Sequence, residues 1–268
     1  VNLHTIEIKK PAFKFVVDMD QWSGPMFRTA TKDGDDLYDV DSKLLVAGMK
    51  KGDRFIDVGA HIGWYSMLAA ALGAKVTAFE PNVFNYGGLL RNVQANDFGE
   101  AITPYCMAVG EKKGVMPLYV NLDNDGGHGL WEVGEHPYNE KTRAANGPEQ
   151  LTYVTTIKDW IGRCTQRLWV KIDTEGFEHK ILQQFPFDLG LSKAPIIIAE
   201  INHDCLGRNN TSELELRALM YKHGYESFVF DEKGIVCVEP TVSVKSDFVY
   251  NLIFSPENLT KTFSEIAG

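Results

Sequence analysis

Three carboxylic acids close three apolar runs of this chain, and two glycines follow the first of them. In FIDVGAHIGWYS, Asp57 ends the run, and Gly59 and Gly63 stand four residues apart with His61 between them. A residue without a Cβ at Gly59 lets a ligand or another stretch of backbone come close. A helix opening at Gly63 offers unpaired N–H groups and a partial positive charge to an anionic group. In KVTAFEP, Glu80 lies 17 residues beyond Gly63, where an acid at a strand tip can accept both hydroxyls of a ribose. The spacing is G-x-x-x-G rather than the G-x-G-x-x-G of a dinucleotide fold. It reads as a nucleotide-type ligand loop whose ligand the rest of the chain must define. In LWVKIDTEGFEHKIL, Asp173 and Glu175 follow Lys171 at the end of a third apolar run. That is the edge of an open α/β sheet where ligands sit, so Asp173 belongs near the reactive end of a bound nucleoside. Helix capping by Asp173 or Thr174, with Glu175 favouring the helix dipole, is the plainer role for the same residues.

Acids at strand ends act together only if a sheet brings those ends side by side. The first forty or so residues mix short alternating runs (FKFVVDM) with turn formers (KDGDD), which predicts a small β-rich lead-in over residues 1–40. DVDSKLLVAGMKKGD then reads as an amphipathic helix ended by Gly52. From there seven apolar runs alternate with helical patterns near Gly63–Leu72, Val83–Asn96, after Gly176, and near Ser212–His223. The seven are RFIDV, KVTAFE, ITPYCMAV, LWVKID, APIIIAEI, ESFVFD and FVYNLIF. Strands of nearly continuous apolar character separated by helices predict a doubly wound, Rossmann-like α/β domain over 41–268 with a mostly parallel seven-stranded sheet. Residues of about 115–155 interrupt the rhythm with an insertion rich in Asn, Asp and Gly, bracketed by two β runs, VMPLYV and LTYVTT. Insertions of that length are more often functional than decorative.

Composition narrows the partners. Hydrophobic residues make up 44% of the 268 and charged residues 24%, which suits a globular chain that buries its core without staples. The formal net charge of −9 argues against broad docking on nucleic acid or on an anionic membrane. No run reaches the roughly 18 apolar residues of a membrane helix, and VNLHTIEIKK lacks a signal-peptide core. Cys106, Cys164, Cys205 and Cys237 are scattered without zinc spacing and read as reduced, structural thiols. The expectation is a cytoplasmic protein.

The order FIDVGAHIGWYS, VTAFEPNVFNYGGLLRNVQAN, VKIDTEGFEHKIL and IIIAEIN resembles the FkbM-type methyltransferases, a branch of the class I S-adenosylmethionine-dependent fold. The likeness runs from about Tyr38 to Pro256, and YNLIFSP resembles the antiparallel last strand of that fold. Asp39 departs from it, since a glutamate often follows the aromatic there, and the insertion around His128 is longer than expected. The resemblance implies S-adenosyl-L-methionine as cofactor. It places the ribose on Glu80, the adenine between Pro81 and Asn82 on one side and Met107 and Ala108 on the other. Gly59, His61, Gly63 and Tyr65 then surround the methionine end, Asp57 supports the loop, and Asp173 lies near the sulfonium.

An alcohol is a poor nucleophile while protonated, so a general base beside it is useful. Asp173, Glu200 and His203 come from adjacent strand tips and are the candidates for that role in an O-methyltransferase. Asp173, Glu200 and Asn202 are also oxygen ligands of the kind that suit Mg²⁺, although a metal-free site is the favoured reading. The family resemblance points to a sugar hydroxyl in a glycan or glycosylated metabolite. The insertion supports it with polar side chains and aromatics, so His128, Trp131 and Glu175 are the candidate acceptor contacts, with Tyr138 interleaved. A solvated loop whose Trp131 merely packs on the sheet is the simpler reading of the same residues. Against a nucleic-acid methyltransferase stand the net charge and DTEG where an NPPY-like tetrad belongs. The motifs also suit a non-sugar small-molecule acceptor. A catalytically silent cofactor-binding domain would share them too, but the retained acids argue against it.

Overall fold

The first two strands follow from alternation of apolar and polar residues. In β1 (Leu3–Lys9) and β2 (Ala12–Asp18), Ile6, Ile8, Phe13, Phe15 and Val17 point inward while Glu7 and Lys14 face solvent. The pair is antiparallel with Ile6 opposite Phe15. A helix, α1 (Ser23–Ala30), follows, so the β-rich lead-in consists of a hairpin and a helix. The hairpin shares one core with the rest of the chain: Phe15 meets Trp64 edge to face at 5.1 Å. The buried Asn92 amide stitches the two together, accepting from Val16 N (2.6 Å) and donating to Ile62 O (2.9 Å). The computed structural model describes residues 1–136, 138–147, 149–162, 165–188, 194–231, 234–244 and 249–262, so Cys164 lies outside the described residues.

Next come α2 (Val40–Gly48), β3 (Arg54–Val58), α3 (Trp64–Ala71), β4 (Lys75–Phe79), α4 (Val83–Ala95) and β5 (Ile102–Tyr105). Helix α2 stops at Gly48, ahead of the expected Gly52, because Met49 turns extended. The run ITPYCMAV divides: its first half is β5, and its second is β6 (Ala108–Val109). β6 belongs to a separate three-stranded sheet with β7 (Gly114–Tyr119) and, beyond α5 (Glu140–Ala144), β8 (Glu149–Thr155). The two runs bracketing the insertion thus pair antiparallel, with Pro117 opposite Leu151.

The chain then forms β9 (Leu168–Ile172), α6 (Glu178–Leu182), β10 (Ile196–Ile201), α7 (His203–Arg208) and α8 (Glu213–Lys222). It closes with β11 (Glu226–Asp231), β12 (Gly234–Cys237), β13 (Tyr250–Ser255) and α9 (Leu259–Thr262). The main sheet has the order β12-β11-β13-β10-β9-β3-β4-β5. It is parallel from β10 to β5, and β13 inserts antiparallel between β10 and β11, as expected of the last strand. Among the described residues it has eight strands rather than the seven expected, because Gly234–Cys237 folds back on β11 as an added edge. Four residues carry too little periodicity to announce a strand.

Successive residues of a strand face opposite sides. Phe55, Trp169, Ile198 and Ile253 therefore enter one core, with the hairpin and α3, while Ile56, Val170, Ile197 and Phe254 enter the other. The register sets Val58 beside both Phe79 and Ile172, and Ile172 beside Ala199. The next residue of each strand is then at the same level, which brings Gly59, Glu80, Asp173 and Glu200 to one edge. Among the described residues, no helix is long and apolar enough to cross a membrane.

Candidate active site

The loop after β3 is shaped by the chain's own crowding. Gly59 has φ 80°, and a Cβ there would lie 1.7 Å from the carbonyl oxygen of Asp173. Gly63, at φ 92°, caps α3 where a Cβ would strike Leu89 at 2.5 Å. Both glycines thus let neighbouring elements close on one another. That packing delivers the His61 N–H to Glu80 Oε2 at 2.8 Å, while Asn82 N–H donates to Oε1 at 2.8 Å. Glu80 is buried, and burial raises its carboxyl to about 7 even with these donors.

A cavity of about 1030 Å³ opens along the strand tips. Its wall includes Gly59, His61, Tyr65 and Glu80 from the first two βα units, and Pro81, Met107 and Ala108 beside them. Three residues expected at the cofactor stand behind that wall. Asp57 accepts a hydrogen bond from Ser66 Oγ (2.6 Å) and is pushed up to about 6 by burial. Asn82 caps α4, accepting from Phe84 N and Asn85 N. Gly63 faces Leu89. They shape the site from outside.

The other end of the cavity is acidic. Asp173, Glu175 and Glu200 line it, with Asp39 and Asp41 on the facing side. Lys171, buried beneath, sits 2.9 Å from Asp173 Oδ2 and 5.2 Å over the Tyr65 ring. Burial works against its charge, but the neighbouring acids, Asp173 foremost, outweigh that and raise its pKa. The Tyr65 hydroxyl donates to Asp39, which also caps α2 by accepting from Ser42 N (2.8 Å) and Ser42 Oγ (2.6 Å). Asp41 accepts from Asn251 Nδ2 (2.7 Å), and burial with the Asp39 charge lifts it to about 7. Glu175, in the left-handed region at φ 55°, accepts from Asn202 Nδ2 (3.4 Å) and Cys205 Sγ (3.3 Å). Burial first and the Asp173 charge second raise it to about 8. Glu200 is raised well above the usual range by the same two causes, and its Oε2 is sealed from solvent with no partner among the described residues.

His203, expected beside Asp173, is absent from the cavity wall. It is the exposed first residue of α7, with its ring 5.9 Å from that of Tyr250. Asn202 turns inward in its place and caps the helix, accepting from Cys205 N at 3.2 Å. Among the described residues, no group of three or more His, Cys, Asp or Glu is placed to hold a metal ion.

The insertion roofs the cavity. His128 Nδ1 accepts from Asn121 N (3.0 Å), so the ring proton sits on Nε2. Burial, then the His61 charge, lowers His128 to about 4 and leaves a neutral donor in the wall. Trp131 donates Nε1–H to the Glu175 carbonyl (2.7 Å) under the Arg208 guanidinium, 5.3 Å from its ring. Tyr138 is exposed and outside the wall. Asp125 latches the roof down. It accepts from Ser23 N (2.9 Å) and Ser23 Oγ (2.6 Å), meets His61 Nε2 at 3.2 Å, and takes Asn85 Nδ2 on its carbonyl at 2.7 Å. Burial opposes its charge, but His61 and Ser23 hold its carboxyl down to about 2.

Sequence reasoning missed a second wall. Trp22, Met26, Phe27 and Tyr38 line it from the lead-in, Val229, Phe230 and Tyr250 from the last strands, and Val244 from the segment between β12 and β13. The one signal for it is the aromatic–acid pair Tyr38–Asp39, where an aspartate stands in place of the usual glutamate.

The family model described as the Methyltransferase FkbM domain matches residues 57–227. No curated protein sequence gives a significant match. Solved structures with a similar backbone include TYW2 from P. horikoshii in complex with MeSAdo, 14% identical, with TM-score 0.45 over 96% of this chain and 72% of that one. A precorrin-6y C5,15-methyltransferase from Geobacter metallireducens GS-15 is 12% identical, with TM-score 0.40 over 81% and 87%. A tRNA methyltransferase from M. jannaschii is 13% identical, with TM-score 0.45 over 94% and 56%. Likeness this remote leaves the family match and the site itself to say what the chain does.

Proposed function

The chain belongs to the Methyltransferase FkbM domain family, and from that premise we propose that it transfers a methyl group from S-adenosylmethionine to a sugar hydroxyl. The observation that carries the reading is the cavity at the matched strand tips, with Glu80 at one end and Asp173 at the other. The residues present fit the cofactor. Glu80 is held by two backbone N–H groups with its carboxyl in the wall, as a ribose acceptor requires. Pro81, Met107 and Ala108 offer apolar contact for an adenine. The volume of about 1030 Å³ lies at the upper end of the roughly 300–1,000 Å³ of single-ligand pockets, which leaves room for an acceptor as well.

When bound, S-adenosylmethionine supplies an electrophilic methyl group on a sulfonium. The chain's own part is to aim the acceptor and to manage one proton, since much of such catalysis is orientation. Asp173 is the group best placed to take the hydroxyl proton: it lines the cavity and is ion-paired to Lys171. Burial and their neighbours favour the protonated forms of Glu175 and Glu200, so they suit donation to acceptor oxygens. The neutral His128 Nε2–H and the Trp131 ring in the roof suit a sugar, whose hydroxyls need hydrogen bonds and whose C–H face packs on an aromatic.

The test is labelled-methyl transfer to sugars, phenols and carboxylic acids, with Trp131→Ala and His128→Ala run beside the parent chain. Sugar methylation weakened by both variants is expected. Methylation of phenols or acids with none of sugars would remove the carbohydrate assignment and leave methyl transfer standing.

A further inference from the structure

The cavity wall is lopsided in charge. Among the described residues, Asp39, Asp41, Glu80, Asp173, Glu175 and Glu200 line it, and no Lys or Arg does. Two cations stand close, and both are engaged. Lys171 is paired with Asp173, while Arg208 is paired with Asp204 at 2.9 Å and reaches Glu135 at 3.5 Å.

Backbone donors offer an anion no better welcome at the acidic end. Phosphates are usually gripped by Arg or Lys, or by the free N–H groups at a helix start. Here the N–H groups leading into α6 are already taken: Thr174 N (2.8 Å) and Gly176 N (3.3 Å) both donate to Glu178 Oε1. At α7, Cys205 N is taken by Asn202 Oδ1. The chain spends its own acids and amides on the donors an anionic substrate would use.

We propose that the acceptor carries no phosphate or carboxylate beside its reacting hydroxyl and is a neutral or amine-bearing hydroxy compound. The inference rests on the methyltransferase reading of the cavity, and it narrows the sugar class to simple glycosides and amino sugars, away from sugar phosphates, nucleotide sugars and nucleic acid. Hydroxyl and ammonium donors are what unpaired carboxyl oxygens accept. Asp173, Glu175 and Glu200 all line the cavity at this end. An ammonium there also favours the charged forms of Glu175 and Glu200, whereas an anion opposes them.

The experiment compares kcat/KM within two matched sets, using labelled cofactor and the full chain. One set is a methyl glucoside, its 2-amino analogue and its 6-phosphate; the other is 4-methylphenol, tyramine and 4-hydroxyphenyl phosphate. An anion at this acidic end, with no free cation beside it among the described residues, should lower kcat/KM on the order of 100-fold relative to the neutral member, with the amine equal or better. Glu175→Gln should narrow the amine-to-phosphate ratio by about tenfold, a quantity from which general loss of activity cancels. A phosphate member within about threefold of its neutral partner overturns the inference, as does a ratio that Glu175→Gln leaves unmoved. If only phenols are methylated, the carbohydrate reading fails and this one is scored on the phenol set. If neither set is methylated by a chain that binds the cofactor, this inference fails.

Discussion

Asp173→Asn keeps the shape of the side chain and removes the charge that faces Lys171. At the 2.9 Å separation, the gross attraction is about 6 kcal/mol at an effective dielectric of 20. Asp173 retains 34% side-chain exposure while Lys171 retains 1%. Solvent screening on the acid's side therefore cuts the net loss to about 1–2 kcal/mol. A second effect softens it further. The Asp173 charge is one cause holding Glu200 in its neutral form, so its removal frees Glu200 to ionise and inherit the lysine. Thermal melting should then fall by only about 3–6 °C, while kcat drops by about 10²–10⁴ as expected for loss of a proton acceptor. Glu200→Gln alone should cost little stability, but with Asp173→Asn it leaves a buried ammonium bare. The double variant should lose about 1–3 kcal/mol more than the sum of the singles in denaturant titrations. Full activity in Asp173→Asn, or strict additivity in the cycle, would refute this account of the acidic end.

The same geometry sets the outcome of three further perturbations. Asp41, Asp57, Glu80 and Glu175 have folded-state values of about 7, 6, 7 and 8, all raised chiefly by burial. The folded chain therefore binds more protons than the unfolded one between about pH 4 and 8. The stability these groups contribute is complete below that window and lost as pH rises through it. Melting temperature of the cofactor-free chain should thus decline steadily from about pH 5 to 8; a steady rise would contradict the burial argument. His203→Ala should leave turnover within about twofold, as for a solvent-facing residue, and a large loss would return His203 to the proton-transfer step. Asp125→Ala removes the latch between roof, lead-in and cofactor loop, and should cost about 2–3 kcal/mol in denaturant unfolding and weaken cofactor binding. Unchanged values of both would make the latch incidental.

The placement of Glu80 and Asp173 at one sheet edge was legible because a βα repeat marks where each strand ends. The antiparallel last strand was legible from the resemblance. What escaped depended on contacts between distant segments. Asn251 reaches Asp41 across 210 residues, and Ser23 reaches Asp125 across 102. No local pattern encodes those pairs, so the wall they build could not be read. His203 shows a finer limit. Placing the strand end correctly still leaves the helix phase open, and one residue turns a side chain by about 100°. Asn202 caps and faces inward, so His203 faces out. The insertion announced itself by composition, yet its role as a roof became visible only through Asp125 and Trp131.

The central claim is that the cavity holds S-adenosylmethionine with Glu80 at its ribose. Calorimetric titration of the parent chain and of Glu80→Gln with S-adenosylmethionine tests it most directly, because the substitution keeps the size of the side chain and removes its charge. Saturable one-to-one binding is expected for the parent, and the variant should bind about 10- to 100-fold more weakly, in line with charged hydrogen bonds lost. Equal affinity in the two chains, or no binding to the parent, would contradict the account.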